Sequence, residues 1–511
     1  VSIDNTPVTP GIASGDAAID RAALADVLAT AGPAWIAERR WFGSKSRTIA
    51  TVTIDDVSLT PNGPDIFALA LCTLTYTDGG RDDQYFLPVV ATATPSPDSV
   101  VIATTDAGIS LVDGPEEPAF RDWLLERLAG GATVDSETGM FRFEPTDVLG
   151  EYLAAARSGG SRLIRSEQSN SSVIYGDAII GKLFRRLQPG VNPDLEIGRF
   201  LTEKTSFRAA PPMVGGISYY DADGGETSIA LLQVFVPSSG DAWTATLAEL
   251  AALIEQGAST GEIAATDVDT APAALLGRRT GQLHVALASS ETDEAFVPQE
   301  VTPDDVAAWE LETIASIDRQ RAMLDKALPR LSPPQQQLVV AVDLTPHRLS
   351  DRIGGYRALV DTVRIRVHGD YHLGQILRSL TGDVVLLDFE GEPLRTISER
   401  REKTAAMKDV AGMLRSLRYA RAAAVKGYDG TAAIEQVDRW LALWERESRA
   451  AFLTAYREEI AQSPHPIAPA EDDRFMAGLD AWELDKALYE LSYEANNRPT
   501  WLDVPLMTLA M

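Results

Sequence analysis

His368-Gly369-Asp370-Tyr371-His372-Leu373-Gly374-Gln375 and, 13 residues after Gln375, Asp388-Phe389-Glu390-Gly391-Glu392 decide how this chain is read. The apolar run Val384-Val385-Leu386-Leu387 lies between them, so the second acid stands at the end of a predicted strand. Acid, amide and acid in this order supply what phosphoryl transfer to a hydroxyl requires. One carboxylate, Asp370, takes the proton of the acceptor. An amide oxygen, Gln375, and a second carboxylate, Asp388, hold Mg²⁺ against nucleotide phosphates, with Glu390 a further candidate ligand. His368 and His372 flank Asp370, and the better reading of His372 is that it positions the acid and the acceptor rather than binding zinc. Strand–turn–strand with surface acids is the alternative, but the ordered set is rarer than its letters.

Parts of a nucleotide-binding lobe stand upstream. Arg162-Leu163-Ile164-Arg165 leads to a small polar tip, Ser166-Glu167-Gln168-Ser169-Asn170-Ser171-Ser172, then Val173-Ile174-Tyr175. The turn Gly176-Asp177 precedes a returning strand, Ala178 to Phe184, that carries Lys182. Ser169, Asn170 and Ser171 are candidates to meet phosphates. Lys182 fits the lysine that meets the α- and β-phosphates. Asn192-Pro193-Asp194-Leu195-Glu196 reads as a helix start, and Glu196 is the expected partner of Lys182. The apolar strand Ser228 to Pro237 supplies an extended hinge for adenine at Gln233, Phe235 and Val236.

The remainder bounds the answer. A chain of 511 residues exceeds one ordinary core, and two or three domains are expected. A formal charge of −28 argues against a nucleic-acid partner. No apolar stretch reaches the length of a membrane span, and no signal peptide is visible, so no membrane partner is expected. The single cysteine, Cys72, lies in an apolar run and reads as a buried small hydrophobe, which suits the cytoplasm. Arg21 to Arg40 reads as one helix, and alternating segments from about 49 to 103 read as strands. Trp41-Phe42-Gly43-Ser44-Lys45 reads as packing rather than a ligand loop. The expected division is a cap at 1–155, nucleotide-lobe strands at 156–237 and a mostly helical lobe at 238–511. A Pro-containing acidic loop is expected from Ser289 to Asp305.

With these residues in hand, the chain resembles the actinobacterial maltokinase-like enzymes, a branch of the aminoglycoside phosphotransferase and eukaryotic-like kinase fold. The likeness is seen in Arg40-Trp41-Phe42-Gly43-Ser44-Lys45, in Glu167-Gln168-Ser169-Asn170, in Phe184-Arg185-Arg186 with Asn192-Pro193-Asp194, and in Arg278-Arg279-Thr280 with Leu283-His284. It continues through the two opening stretches, Glu399-Arg400-Arg401, Asp409 to Ser416 and Glu483 to Pro499. The resemblance implies an α+β, bilobal, kinase-like fold with an N-terminal cap, the use of ATP and Mg²⁺, and a free sugar as substrate. It implies that Asp370 is the base, that Gln375 and Asp388 hold the metal, and that Lys486 and Tyr489 belong to the sugar pocket.

Which sugar is read from one segment. Maltokinases often carry a Phe-x-Pro-Glu-Pro-aromatic-Thr stretch, and here the run is Phe296-Val297-Pro298-Gln299-Glu300-Val301-Thr302. Loss of the aromatic, with an acid gained, suits a smaller sugar bearing an ammonium group. Glu300 and Thr302 are therefore candidate substrate contacts, and glucosamine is the expected acceptor. Maltose is the alternative, and an aminoglycoside the lesser one.

Overall fold

The computed structural model describes residues 19–165, 169–393 and 395–510. The chain divides into two compact units. One runs to Lys204 and takes in Pro211–Val236 and Thr396–Ser398; the other holds Thr205–Ala210, Pro237–Arg395 and the chain from Glu399 on.

The first unit contains two antiparallel sheets. In one, Ile49–Asn62, Asp65–Tyr76, Asp83–Thr92, Ser110–Asp113 and Val101–Thr104 lie in that spatial order. The strand Asp65–Tyr76 shows why both faces are covered. Phe67, Leu69 and Leu71 enter one core while Ala68, Ala70 and Cys72 enter another, as the two-residue period of a strand requires. The second core is closed by helices Arg21–Thr30 and Gly32–Glu38 through Leu24, Leu28, Trp35 and Ile36. These are two helices where the periodicity predicts one. Pro33 has no N–H to continue the first and sits in the opening turn of the second. Cys72 is buried, as expected.

The other sheet has seven strands, with Met213–Tyr220, Glu226–Val234, Ile179–Phe184 and Asn170–Tyr175 at its centre. Met140–Pro145 pairs with Met213–Tyr220, so strands before residue 155 join the sheet that carries Lys182. Phe67 and Phe86 of the first sheet share a core with Val173, Ile179 and Leu231 of the second.

The second unit is mostly helical. Its long helices are Ala242–Thr260, Ala271–Leu287, Pro303–Ala327, Met407–Gly427, Ile434–Ile460 and Asp472–Asn497. Gly277 lets the second and fifth meet closely, because a Cβ there would stand 2.1 Å from the Phe452 carbonyl oxygen. Two small sheets complete the unit: Ser238–Asp241 with Ile376–Ser379 and Val384–Leu386, and Gln299–Glu300 with Val363–Ile365 and Thr404–Ala405. The expected loop from 289 to 305 thus contains a short strand and the start of a helix. Among the described residues, no helix is long and apolar enough to cross a membrane.

Candidate active site

The first unit carries the residues expected to meet nucleotide. Ile179–Phe184 returns from Asn170–Tyr175 through Gly176 and Asp177, both at positive φ (56° and 48°), the backbone that a two-residue hairpin turn demands. This register sets Lys182 opposite Ser172 and Leu231. Its ammonium lies 3.4 Å from Asp194 Oδ2. Asp194 and Glu196 both occupy the first turn of the Pro193–Lys204 helix, where its dipole favours carboxylates. Asn192 fixes that start, since its side-chain oxygen accepts from the Asp194 amide at 2.9 Å. The acid meeting Lys182 thus includes Asp194, which the sequence reading passed over for Glu196.

Residues 166–168 of the expected tip lie outside the described residues. Ser169 is exposed and Asn170 half-buried, whereas Ser171 is buried and its hydroxyl oxygen accepts from Arg185 Nε at 2.8 Å. Arg185 is fully buried and needs acceptors, so it turns Ser171 into the fold instead of toward phosphates. In the hinge segment, Gln233 pairs with Ile180 on one side and Met213 on the other. The Phe235 amide donates to the Ala178 carbonyl at 2.9 Å, and Val236 is the last residue of this stretch of the unit.

The second unit carries the acids. Strand Val363–Ile365 runs into the Asp370 loop, and Asp409, near the start of the Met407–Gly427 helix, braces that loop. Its carboxylate accepts from the main-chain amides of His368 (2.7 Å) and Gly369 (2.9 Å). His284 Nε2 stands 3.1 Å away on the same carboxylate. Burial alone would raise the Asp409 pKa; the His284 bond, the nearby His368 and the Gly369 amide outweigh it and hold it below the usual value. Gly369 turns the loop at φ 87°. Tyr371 points inward and its hydroxyl meets Thr280 Oγ1 at 2.8 Å. The loop is anchored on both sides of Asp370, which leaves that carboxylate as the group presented.

His372 Nδ1 accepts from the Gly374 amide at 3.0 Å, which leaves the ring proton on Nε2, 3.9 Å from Asp370 Oδ2. Burial lowers its pKa, so the ring is neutral near pH 7. Gln375 Nε2 donates to Asp388 Oδ2 at 2.8 Å, which fixes both side chains. The two flank the hairpin of Ile376–Ser379 and Val384–Leu386, closed by the Leu387 amide on the Gln375 carbonyl at 2.9 Å. Asp388 adopts φ 65°, an unfavourable conformation for a residue with a Cβ and a frequent mark of a functional position. Asp388 and Glu390 each offer an oxygen within 4.8 Å of the other. An amide oxygen and two carboxylates are the hard donors that Mg²⁺ takes.

Lys486 closes the arrangement. Its ammonium lies 3.4 Å from Asp370 Oδ1 and 3.5 Å from Glu392 Oε1, and over the Tyr489 ring at 4.8 Å. Glu392 also takes Arg395 at 2.7 Å and Lys408 at 3.8 Å. Burial would raise the Glu392 pKa; Lys408, Lys486 and Arg395 overcome that and draw it down to about 2. Burial likewise opposes the charge on Lys486, but Asp370, Glu392 and Glu490 raise its pKa and the cation persists. Asp370, His372, Lys486 and Tyr489 line one cavity of about 620 Å³, with Trp243 on its wall.

Glu300 and Thr302 are not brought there. Glu300 is exposed in the two-residue strand paired with Val363. Thr302 caps the Pro303–Ala327 helix, its hydroxyl oxygen accepting from the Asp305 amide at 3.2 Å while Asp305 bonds back to the Thr302 amide. The Thr-Pro-Asp-Asp start of that helix was the sequence signal for this role. His284, Asp409 and Glu392 were not singled out as site residues.

With this geometry established, the comparisons are specific. Residues 35–116 match the maltokinase N-terminal cap domain. A glucosamine kinase of Mycolicibacterium smegmatis is 28% identical over 353 residues, 69% of this chain and 79% of the relative. One from Streptacidiphilus jiangxiensis is 27% identical over 476 residues, 88% of this chain and 98% of the relative. A solved structure of glucosamine kinase in complex with glucosamine, ADP and inorganic phosphate superposes with a TM-score of 0.64 at 23% identity, covering 95% of this chain and 98% of that one. A second crystal form of glucosamine kinase gives the same TM-score. The chain carries a maltokinase-type cap, has the fold of the glucosamine kinase structures, and is similar in sequence to glucosamine kinases along most of its length.

Proposed function

We propose that this chain is an ATP-dependent sugar kinase that transfers the γ-phosphoryl group to a hydroxyl of glucosamine. The observation that carries it is Asp370, held on a braced loop, facing a cavity that Lys486 and Tyr489 also line. Two relatives named glucosamine kinase and a structure with glucosamine and ADP support the same reading. Asp370 orients the acceptor hydroxyl and takes its proton as the oxygen–phosphorus bond forms. Lys486, 3.4 Å from Asp370 Oδ1, holds that carboxylate in place. Lys182, steadied by Asp194, meets the nucleotide phosphates, and the hinge from Gln233 to Val236 meets adenine. Gln375 and Asp388, with Glu390 beside them, would hold Mg²⁺, which neutralises phosphate charge when bound.

The cavity lining carries Asp370, Glu490 and Glu494 against Lys486 and Arg498, and Arg415 behind Glu490 brings the set to balance. That balance leaves room for an acceptor with at most one ammonium group. The cap match points to maltose, but it ends at residue 116 and includes no residue of the catalytic loop. The test is ADP release with glucosamine, glucose, maltose and an aminoglycoside as acceptors. Glucosamine should give the highest kcat/KM; preference for maltose would overturn the reading.

A further inference from the structure

We propose that the cavity accepts an aminosugar glycoside, with the aminosugar ring at Asp370 and an attached neutral hexose toward the outer end. This rests on the aminosugar reading above.

Two helices form the walls. Gly412, Ser416 and Tyr419 line the cavity from Met407–Gly427, at helical spacing on one face. Lys486, Tyr489, Tyr493 and Asn497 do so from Asp472–Asn497, again on one face. The helices run side by side in the same direction. Arg415 meets Glu490 at 2.6 Å, and a turn further out Tyr419 stacks on Trp501 with centroids 6.1 Å apart. Lys486 marks the inner end because it touches Asp370. From Lys486 to Asn497 the wall extends about 16 Å at 1.5 Å per residue, roughly three turns. One helical turn rises ~5.4 Å, so this wall is much longer than a single six-membered ring. A monosaccharide whose hydroxyl meets Asp370 therefore leaves the outer part of the cavity unfilled.

The chemistry of that outer part is suited to a sugar. Tyr493 is 44% exposed at the lip. The Arg498 guanidinium packs over its ring at 5.3 Å and over Trp501 at 5.4 Å, and bonds Glu494 at 2.6 Å. Aromatic faces held in this way cover the C–H face of a sugar ring, and the Arg–Glu pair offers charged donors and acceptors to its hydroxyls. One exposed tyrosine is ordinary by itself. Here it continues a cavity wall that begins at the proposed base. The near balance of charge argues against a polycationic second group, so the added ring is neutral. The reaction is unchanged. A hydroxyl oxygen of the aminosugar bonds the γ-phosphorus, the bond to the β,γ-bridging oxygen breaks, the proton goes to Asp370, and ADP leaves.

The experiment compares glucosamine with a disaccharide of glucosamine joined to glucose, in wild type and Tyr493→Ala. Wild type should phosphorylate both, with a lower KM for the disaccharide. Tyr493→Ala should raise the disaccharide KM about tenfold and leave the glucosamine KM unchanged. Turnover of glucosamine with none of the disaccharide would overturn the inference and leave the aminosugar reading standing. An equal rise in both KM values would also overturn it. Failure to phosphorylate either acceptor would remove the aminosugar reading itself.

Discussion

Asp370 and Glu300 were both read from the sequence as substrate contacts, and the structure treats them differently. Asp370 stands on a loop whose main chain is bonded to a buried carboxylate, and its side chain meets Lys486 in a cavity. Glu300 is exposed on a two-residue strand next to a helix cap. The first assignment rested on what phosphoryl transfer needs from acid, amide and acid in order. The second rested on aligning a loop, where no spacing rule ties a residue to its neighbour. A chemical requirement pointed to a residue that lines a cavity; a difference in letters pointed to one that is exposed.

Removing the brace should have the largest effect. Asp409→Ala leaves two main-chain amides and His284 without their shared acceptor inside the fold. Loss of one partner in a buried network costs ~3–5 kcal/mol. Urea unfolding should show that loss, and a change below about 1 kcal/mol would mean that the loop holds itself. Glu392 comes next. Its pKa is lowered in the fold to about 2 from 4.5, so its stabilising contribution is complete above about 4.5 and disappears as pH falls toward 2. On the order of 3 kcal/mol is involved. Glu392→Gln should lower stability at neutral pH and flatten its decline across that acid window. An unchanged acid limb would show that the three cations do not depend on this carboxylate.

A smaller effect is expected at the metal ligands. Asp388→Asn should raise the Mg²⁺ concentration for half-maximal rate at least about tenfold, because a charged donor becomes neutral. An unchanged Mg²⁺ profile would place the metal elsewhere. Glu300→Ala should do least: unfolding within about 0.5 kcal/mol of wild type and an unaltered KM for glucosamine. A steep rise in that KM, absent with glucose, would restore Glu300 to the site and erase the contrast.

Other features sort by the same logic. The hairpin at Gly176-Asp177 was legible because only a few residue types suit its backbone. Lys182 was legible from its strand, but its acid partner was less so. Asp194 and Glu196 are two residues apart in one helical turn and point in different directions, and sequence alone does not say which faces the strand. Asp409 lies 40 residues from the loop it braces, and only the fold brings it there. Ser171 looked like a phosphate contact until the buried Arg185 was seen to engage it. The split of the first helix at Gly32-Pro33 was written in the sequence and overruled by the apolar spacing around it.

The central claim is that Asp370 is the group that takes the acceptor proton. It is tested most directly by Asp370→Asn, with ADP release on glucosamine measured beside calorimetric binding of ATP. The account predicts a fall in kcat of ~10²–10⁴-fold with ATP binding retained. A variant that binds ATP and turns over glucosamine at near wild-type rate would contradict it.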